Sequence, residues 1–175
     1  MLRLTEFAAI PQFAHCDYTI TVPWTYIERF LKTAQEHTLC PLNLNPDFQR
    51  EHVWTATQQT KYLEYQLRGG ISGRHIYANC KGWHRTYQGP YELVDGKQRI
   101  QAILQFLRGQ LPVFGSYYSE FTDRPSTSSH YIIWNVAALE TRAEVLQWYI
   151  DLNTRGTPHL RDEIMRVQKL LEAEK

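Results

Sequence analysis

The sequence predicts an α+β domain, short strands with helices packed around them. Two patterns carry that expectation. Apolar residues alternate over short stretches flanked by turn residues, and elsewhere they recur at helical spacing. The two kinds of stretch are interleaved, with no linker dividing them. At 175 residues the chain is one domain long and can bury a proper core. The expected organisation is a single domain over 1–175, with a core of about 18–108 and a C-terminal strand and helices over about 131–172.

The elements follow in order. Tyr18-Thr19-Ile20-Thr21-Val22 alternates β-branched and polar positions, as a strand does. Pro23 suits the first turn of a helix reaching about His37, with Tyr26, Ile27, Phe30, Leu31 and Ala34 on one face. Leu39 to Asn45 is short and extended. Thr55 is an N-cap for a helix through Gln58, Tyr62, Leu63 and Leu67 that Gly69-Gly70 terminates. His75–Ala78 and Tyr91–Val94 read as two strands joined by a hairpin loop containing Gly82, Gly89 and Pro90. After Gly96, Ile100, Ile103, Leu104 and Leu107 repeat helically until Gly109. Residues 109–130 form a long loop, and 131–136 a strand. Two amphipathic helices finish the chain, broken over Asn153 to Pro158.

Composition narrows the function classes. Aromatics at 13% and hydrophobics at 43% exclude disordered and collagen-like chains. No apolar run approaches the ~20 residues of a membrane helix, and Met1 to Pro11 shows no secretion signal. Cys16, Cys40 and Cys80, an odd number without a Cys-x-x-Cys pair, suit a reducing cytoplasm. The net charge of +1 is unevenly spread, since residues 50–108 hold nine Lys and Arg against four Asp and Glu. That favours a local anion site over bulk attraction to DNA.

The sharpest feature is Tyr91-Glu92-Leu93-Val94-Asp95-Gly96-Lys97-Gln98-Arg99, a strand turning directly into a helix. Such a turn aims unpaired backbone N–H groups and the helix dipole at one point, where an anion is stabilised. Gly96 permits close backbone approach, and Arg99 can fork onto a phosphate. Lys97 adds a second cation. Asp95 can hold Mg²⁺ against a phosphate chain and Gln98 can orient a water, the two catalytic candidates. Asp95 is equally suited to capping the helix. A second polar group, Asn45-Pro46-Asp47-Phe48-Gln49-Arg50, precedes the Thr55 helix. Trp83 beside Arg85 on the hairpin could stack on a nucleic-acid base. Cys80, His84 and His75 are too few for a closed zinc site.

These motifs, in this order, resemble the ParB/sulfiredoxin superfamily, and within it the N-terminal domain family of GmrSD-type modification-dependent restriction endonucleases. That family carries Asp-Gly-Gln-Gln-Arg where this chain has Asp95-Gly96-Lys97-Gln98-Arg99, and a Gln-Arg box like Phe48-Gln49-Arg50. Its Asn-x-x-Gly element is matched by Asn153-Thr154-Arg155-Gly156. The resemblance implies a domain that binds a nucleoside triphosphate (GTP, CTP or ATP) with Mg²⁺, hydrolyses it in some members, and regulates DNA cleavage by a nuclease domain or subunit. Carried over, Gly96, Lys97 and Arg99 form the phosphate turn with Asp95 and Gln98. Gln49 and Arg50 line the same pocket, and Asn153 and Gly156 close it. Lys97 departs from the usual Gln. No cysteine stands in the turn, so sulfiredoxin chemistry is not expected. Two alternatives remain: a ParB-like DNA-binding module, and a non-enzymatic inhibitor reusing the fold. Without a carboxylate cluster for two metals, nuclease activity of this chain is not evident.

Overall fold

A computed structural model of the protein describes residues 13–49, 54–84, 86–154 and 161–174, the last segment with side chains from 164 onward. The strands are β1 (Tyr18–Pro23), β2 (Leu42–Asn43), β3 (His75–Cys80), β4 (Tyr91–Asp95) and β5 (Tyr131–Ala137). They form one mixed sheet in the order β1-β5-β3-β4-β2. β5 runs antiparallel to β1 and parallel to β3, and β4 runs antiparallel to β3 and parallel to β2. The last strand in sequence is therefore interior, and the sheet is not finished until residue 137 joins it.

Helices cover both faces. Ile76, Ala78 and Cys80 of β3, Leu93 of β4 and Ile132, Trp134 and Val136 of β5 share one core with α1 (Trp24–Gln35), α2 (Ala56–Leu67) and α3 (Lys97–Leu107). Val94 points the other way, as alternation along a strand requires. It joins Phe48, Ala137 and the buried faces of α4 (Arg142–Thr154) and α5 (Arg161–Ala173). The α+β expectation holds. Among the described residues no helix is long and apolar enough to cross a membrane.

Local chemistry explains most boundaries. The Thr55 hydroxyl accepts from the Gln58 N–H, and Gln58 Oε1 accepts in return from the Thr55 N–H at 2.9 Å, a reciprocal cap for α2. Gly69 and Gly109, both at positive φ, follow the ends of α2 and α3. Pro23 closes β1 instead of opening α1, because its carbonyl side is extended and the first helical residue is Trp24. The expected break at Asn153 is corrected: Asn153 and Thr154 still belong to α4, since the Asn153 amide donates to the Tyr149 carbonyl at 2.7 Å, within the helix. The 109–130 loop carries a 3-10 turn at Tyr118–Glu120 and is tied to α2, with Phe114 N–H donating to Glu64 and the Thr60 hydroxyl to the Pro112 carbonyl.

Candidate functional site

The strand-to-helix turn forms as expected. β4 ends at Asp95, Gly96 is the N-cap residue of α3, and its φ of +109° lies in the left-handed region. A Cβ at Gly96 would meet Ile76 Cδ1 at 2.4 Å, so the position excludes a side chain on two grounds. Gly96 itself offers no side-chain cap to α3. The start of a helix carries the positive end of its dipole, which favours negative charge there.

Around this turn the polar residues are organised. Arg99 pairs with Asp95 one helical turn back, and both are mostly covered, at 18% and 28% side-chain exposure. Asp95 thus does not cap the helix; it neutralises Arg99. Tyr77 sits opposite Asp95 in the β3–β4 register, where the ladder is irregular. Burial, with Cys16 and Asp95 nearby, raises its phenol above the ordinary range. On the α2 side, Tyr62 donates to the Gly73 carbonyl at 3.1 Å, and burial pushes its pKa up to about 12 against the pull of Arg99 and Arg74. Gln98 accepts through Oε1 from the Trp54 N–H at 3.1 Å, joining the turn to the foot of α2. Gln49 donates from Nε2 to the carbonyls of Leu93 and Val94 at 3.0 and 2.5 Å. The structure thus brings Gln49, Asp95, Gly96, Gln98 and Arg99 to the end of β4, with half-buried Lys97 beginning α3. Asn153 is buried and spends its amide on its own helix. Arg50, Arg85 and Gly156 lie outside the described residues.

Two arginines that sequence reasoning passed over hold the Asn45–Gln49 segment in place. Arg142 of α4 grips the Asp47 carboxylate with one terminal nitrogen 2.7 and 2.6 Å from its oxygens, holding that carboxyl below the ordinary range. Arg166 of α5 donates to the Asp47 and Phe48 carbonyls at 2.8 Å each. Phe48 is fully buried, with its ring 5.5 Å from Tyr149. The segment before Arg50 is therefore clamped between β4 and the C-terminal helices. The signal for this was absent locally, because both arginines stand more than ninety residues downstream.

The donor set at the turn limits how a divalent cation could be held. Among the described residues no three His, Cys, Asp or Glu gather. A divalent cation at Asp95 would take its other ligands from phosphate oxygens and water, the usual habit of Mg²⁺. Asp95 would hold the cation and Arg99 the phosphates it accompanies; the charge the cation supplies would be counter-charge for those phosphates.

At the other end of β4, Trp83 does not project as a stalk. Its ring lies 5.3, 5.4 and 5.8 Å from those of Tyr18, Tyr87 and Tyr91. Together with Phe30 and Trp134 these rings wall a cavity of about 230 Å³.

Comparison with known proteins gives one finding. The family model described as the GmrSD restriction endonuclease, N-terminal domain, matches residues 27–168, a span that includes the Asp95 turn, the clamped Phe48 segment and most of both C-terminal helices. No curated protein and no solved structure matches.

Proposed function

The chain belongs to the family of GmrSD restriction endonuclease N-terminal domains, and from that premise we propose that its Asp95 turn binds a nucleoside triphosphate that governs DNA cleavage by a nuclease domain or subunit. Membership itself implies involvement in restriction-endonuclease defence. A ParB/sulfiredoxin-like kinship of the fold is part of the same proposal.

One observation carries it: the mostly covered Asp95–Arg99 pair set at the strand-to-helix turn, beside the left-handed Gly96. A polyphosphate arriving there meets the positive end of the helix dipole. It also competes with Asp95 for Arg99, whose planar fork suits phosphate as well as carboxylate. Once Arg99 turns to phosphate, the Asp95 carboxylate is released for the cation that accompanies the nucleotide. The two residues hold each other before binding and divide the ligand between them afterwards. Gln49 and Gln98 act as positioning residues, one anchoring the β4 carbonyls and the other the Trp54 amide. Because Gln98 is engaged in that way, the reading is of binding that signals, with turnover secondary.

Titration with GTP, CTP and ATP in the presence of Mg²⁺ tests the proposal. Arg99→Ala is expected to weaken binding about 10- to 100-fold, the scale of a lost hydrogen bond to a charged group. Asp95→Asn should leave an affinity that no longer responds to Mg²⁺. Failure of all three nucleotides to bind, or undiminished binding by Arg99→Ala, would overturn the reading.

A further inference from the structure

The cavity at the N-terminal end of β4 is built from α1, β1, β3, β4, β5 and the β3–β4 hairpin, and it is chemically unlike the Asp95 turn. Tyr18, Phe30, Trp83, Tyr87, Tyr91 and Trp134 supply most of its wall. Among the described residues no Lys, Arg, Asp or Glu lines it. Its polar groups include the Cys80 thiol and the Tyr91 phenol, both raised above their ordinary ranges by burial, and the His37 ring just past the end of α1. The Tyr91 oxygen accepts from Trp134 Nε1 at 2.7 Å, which fixes two of the rings against each other. So largely apolar a lining does little to offset the desolvation of a phosphate or carboxylate. It accepts flat rings by stacking and edge contacts. About 230 Å³ is less than the ~300–1,000 Å³ that encloses a drug-sized ligand, so the occupant is a single ring system. At the rim, exposed Arg29 lies over the Tyr26 ring, 5.7 Å from its centroid, where a phosphate attached to that ring system would pass.

We propose that this cavity is a receptor for one uncharged nucleobase, whose sugar and phosphate stay outside beside Arg29. The base comes either from a free nucleoside or from a DNA strand in which it is unstacked. The choice of a nucleobase among flat rings rests on the family's tie to restriction of DNA, but not on nucleotide binding at Asp95. The two sites stand at opposite ends of one strand, roughly 13 Å apart along it, so one can fail without the other.

Trp83 and Trp134 provide the signal. Tryptophan fluorescence is followed while the full chain is titrated with thymidine, with deoxyadenosine, with a single-stranded oligothymidylate, and with an oligonucleotide of the same length bearing abasic sites. Quenching by the oligothymidylate alone identifies a strand-borne base, and quenching by nucleosides as well identifies the base itself as sufficient; both support the proposal. Trp83→Ala should weaken oligothymidylate binding about tenfold, the scale of one lost stacking partner. Ala34→Trp, which plugs the cavity from α1, should abolish it, read for both variants by fluorescence anisotropy of a labelled oligonucleotide. The Arg99-dependent part of nucleoside-triphosphate binding should be unchanged in these variants, and circular dichroism checks that they fold. Equal binding of the abasic strand, no binding of any probe, or undiminished binding by a folded Ala34→Trp would overturn it.

Discussion

The two ends of β4 carry two sites made in opposite ways. At its C-terminal end, Asp95, Gly96, Lys97, Gln98 and Arg99 are consecutive, charged or polar, and arranged around a helix start. At its N-terminal end, the cavity draws Tyr, Phe and Trp rings from five separate elements. Between them Leu93 and Val94 are both fully buried, one in each core. The strand is thus a rigid spacer between a place for charge and a place for flat rings. A contiguous site depends on backbone conformation, whereas a dispersed one depends on the sheet being assembled. Substitutions at the two ends should fail for those different reasons.

The largest expected effect is at the charged end. Gly96→Ala places a methyl group 2.4 Å from Ile76 Cδ1 at a φ of +109°. Overpacking and left-handed strain together should cost about 2–4 kcal/mol, read by urea denaturation. Gly96→Ala combined with Ile76→Val removes the struck carbon and should recover part of that loss. A Gly96→Ala protein as stable as the parent would show that the turn does not need its glycine, and the contrast between the two ends would lose its backbone half.

The same division explains what could be read from the chain beforehand. The turn was legible because a strand, an Asp-Gly pair and a helix follow one another, and short-range rules act within that span. The reciprocal cap at Thr55 and Gln58 and the stops at Gly69 and Gly109 belong to the same class. The place of β5 between β1 and β3 was not legible, since alternation marks a strand without naming its neighbours. Arg142 and Arg166 look like ordinary solvent-facing helix residues until the fold lays Asp47 against them. Asn153 misled because an Asn beside Thr and Gly reads as a helix stop, whereas here its amide reinforces the last turn. Trp83 was recognisable as a stacking ring but not as one wall among six.

At the aromatic end the expected effect is intermediate. Tyr91→Phe removes the oxygen that accepts from Trp134 Nε1, and Trp134 is 1% exposed. An orphaned buried N–H costs about 1–3 kcal/mol. Trp134→Phe alone strands the Tyr91 hydroxyl, and Tyr91→Phe with Trp134→Phe should cost less than the sum of the two single changes. Strict additivity in that double-mutant cycle would mean that the rings are not coupled through this bond. The cavity would then be a loose collection of aromatics in place of a fixed wall.

The smallest effect is expected within the strand, at Glu92. Burial raises its carboxyl above the ordinary 4.5, Arg142 pulls it down and Asp47 pushes it up. A carboxyl with a raised folded pKa binds its proton more tightly in the folded chain than in the unfolded one, so stability falls as pH rises from the ordinary value through the folded pKa. Above that point the penalty is complete, and below about 4.5 it disappears. Glu92→Gln carries no titratable group and should be more stable than the parent at neutral pH, by no more than about 0.5 kcal/mol. Its advantage should vanish on acidification. The comparison must be made as a difference between the two proteins, because Asp47, lowered by Arg142, acts in the opposite sense: the stability it contributes is present above its ordinary value of 3.8 and is lost as pH falls further. Thermal melts of both proteins across the acid range would give that difference directly. A Glu92→Gln protein less stable than the parent at neutral pH would mean that attraction to Arg142 outweighs burial, and this part of β4 would belong with the charged end of the strand.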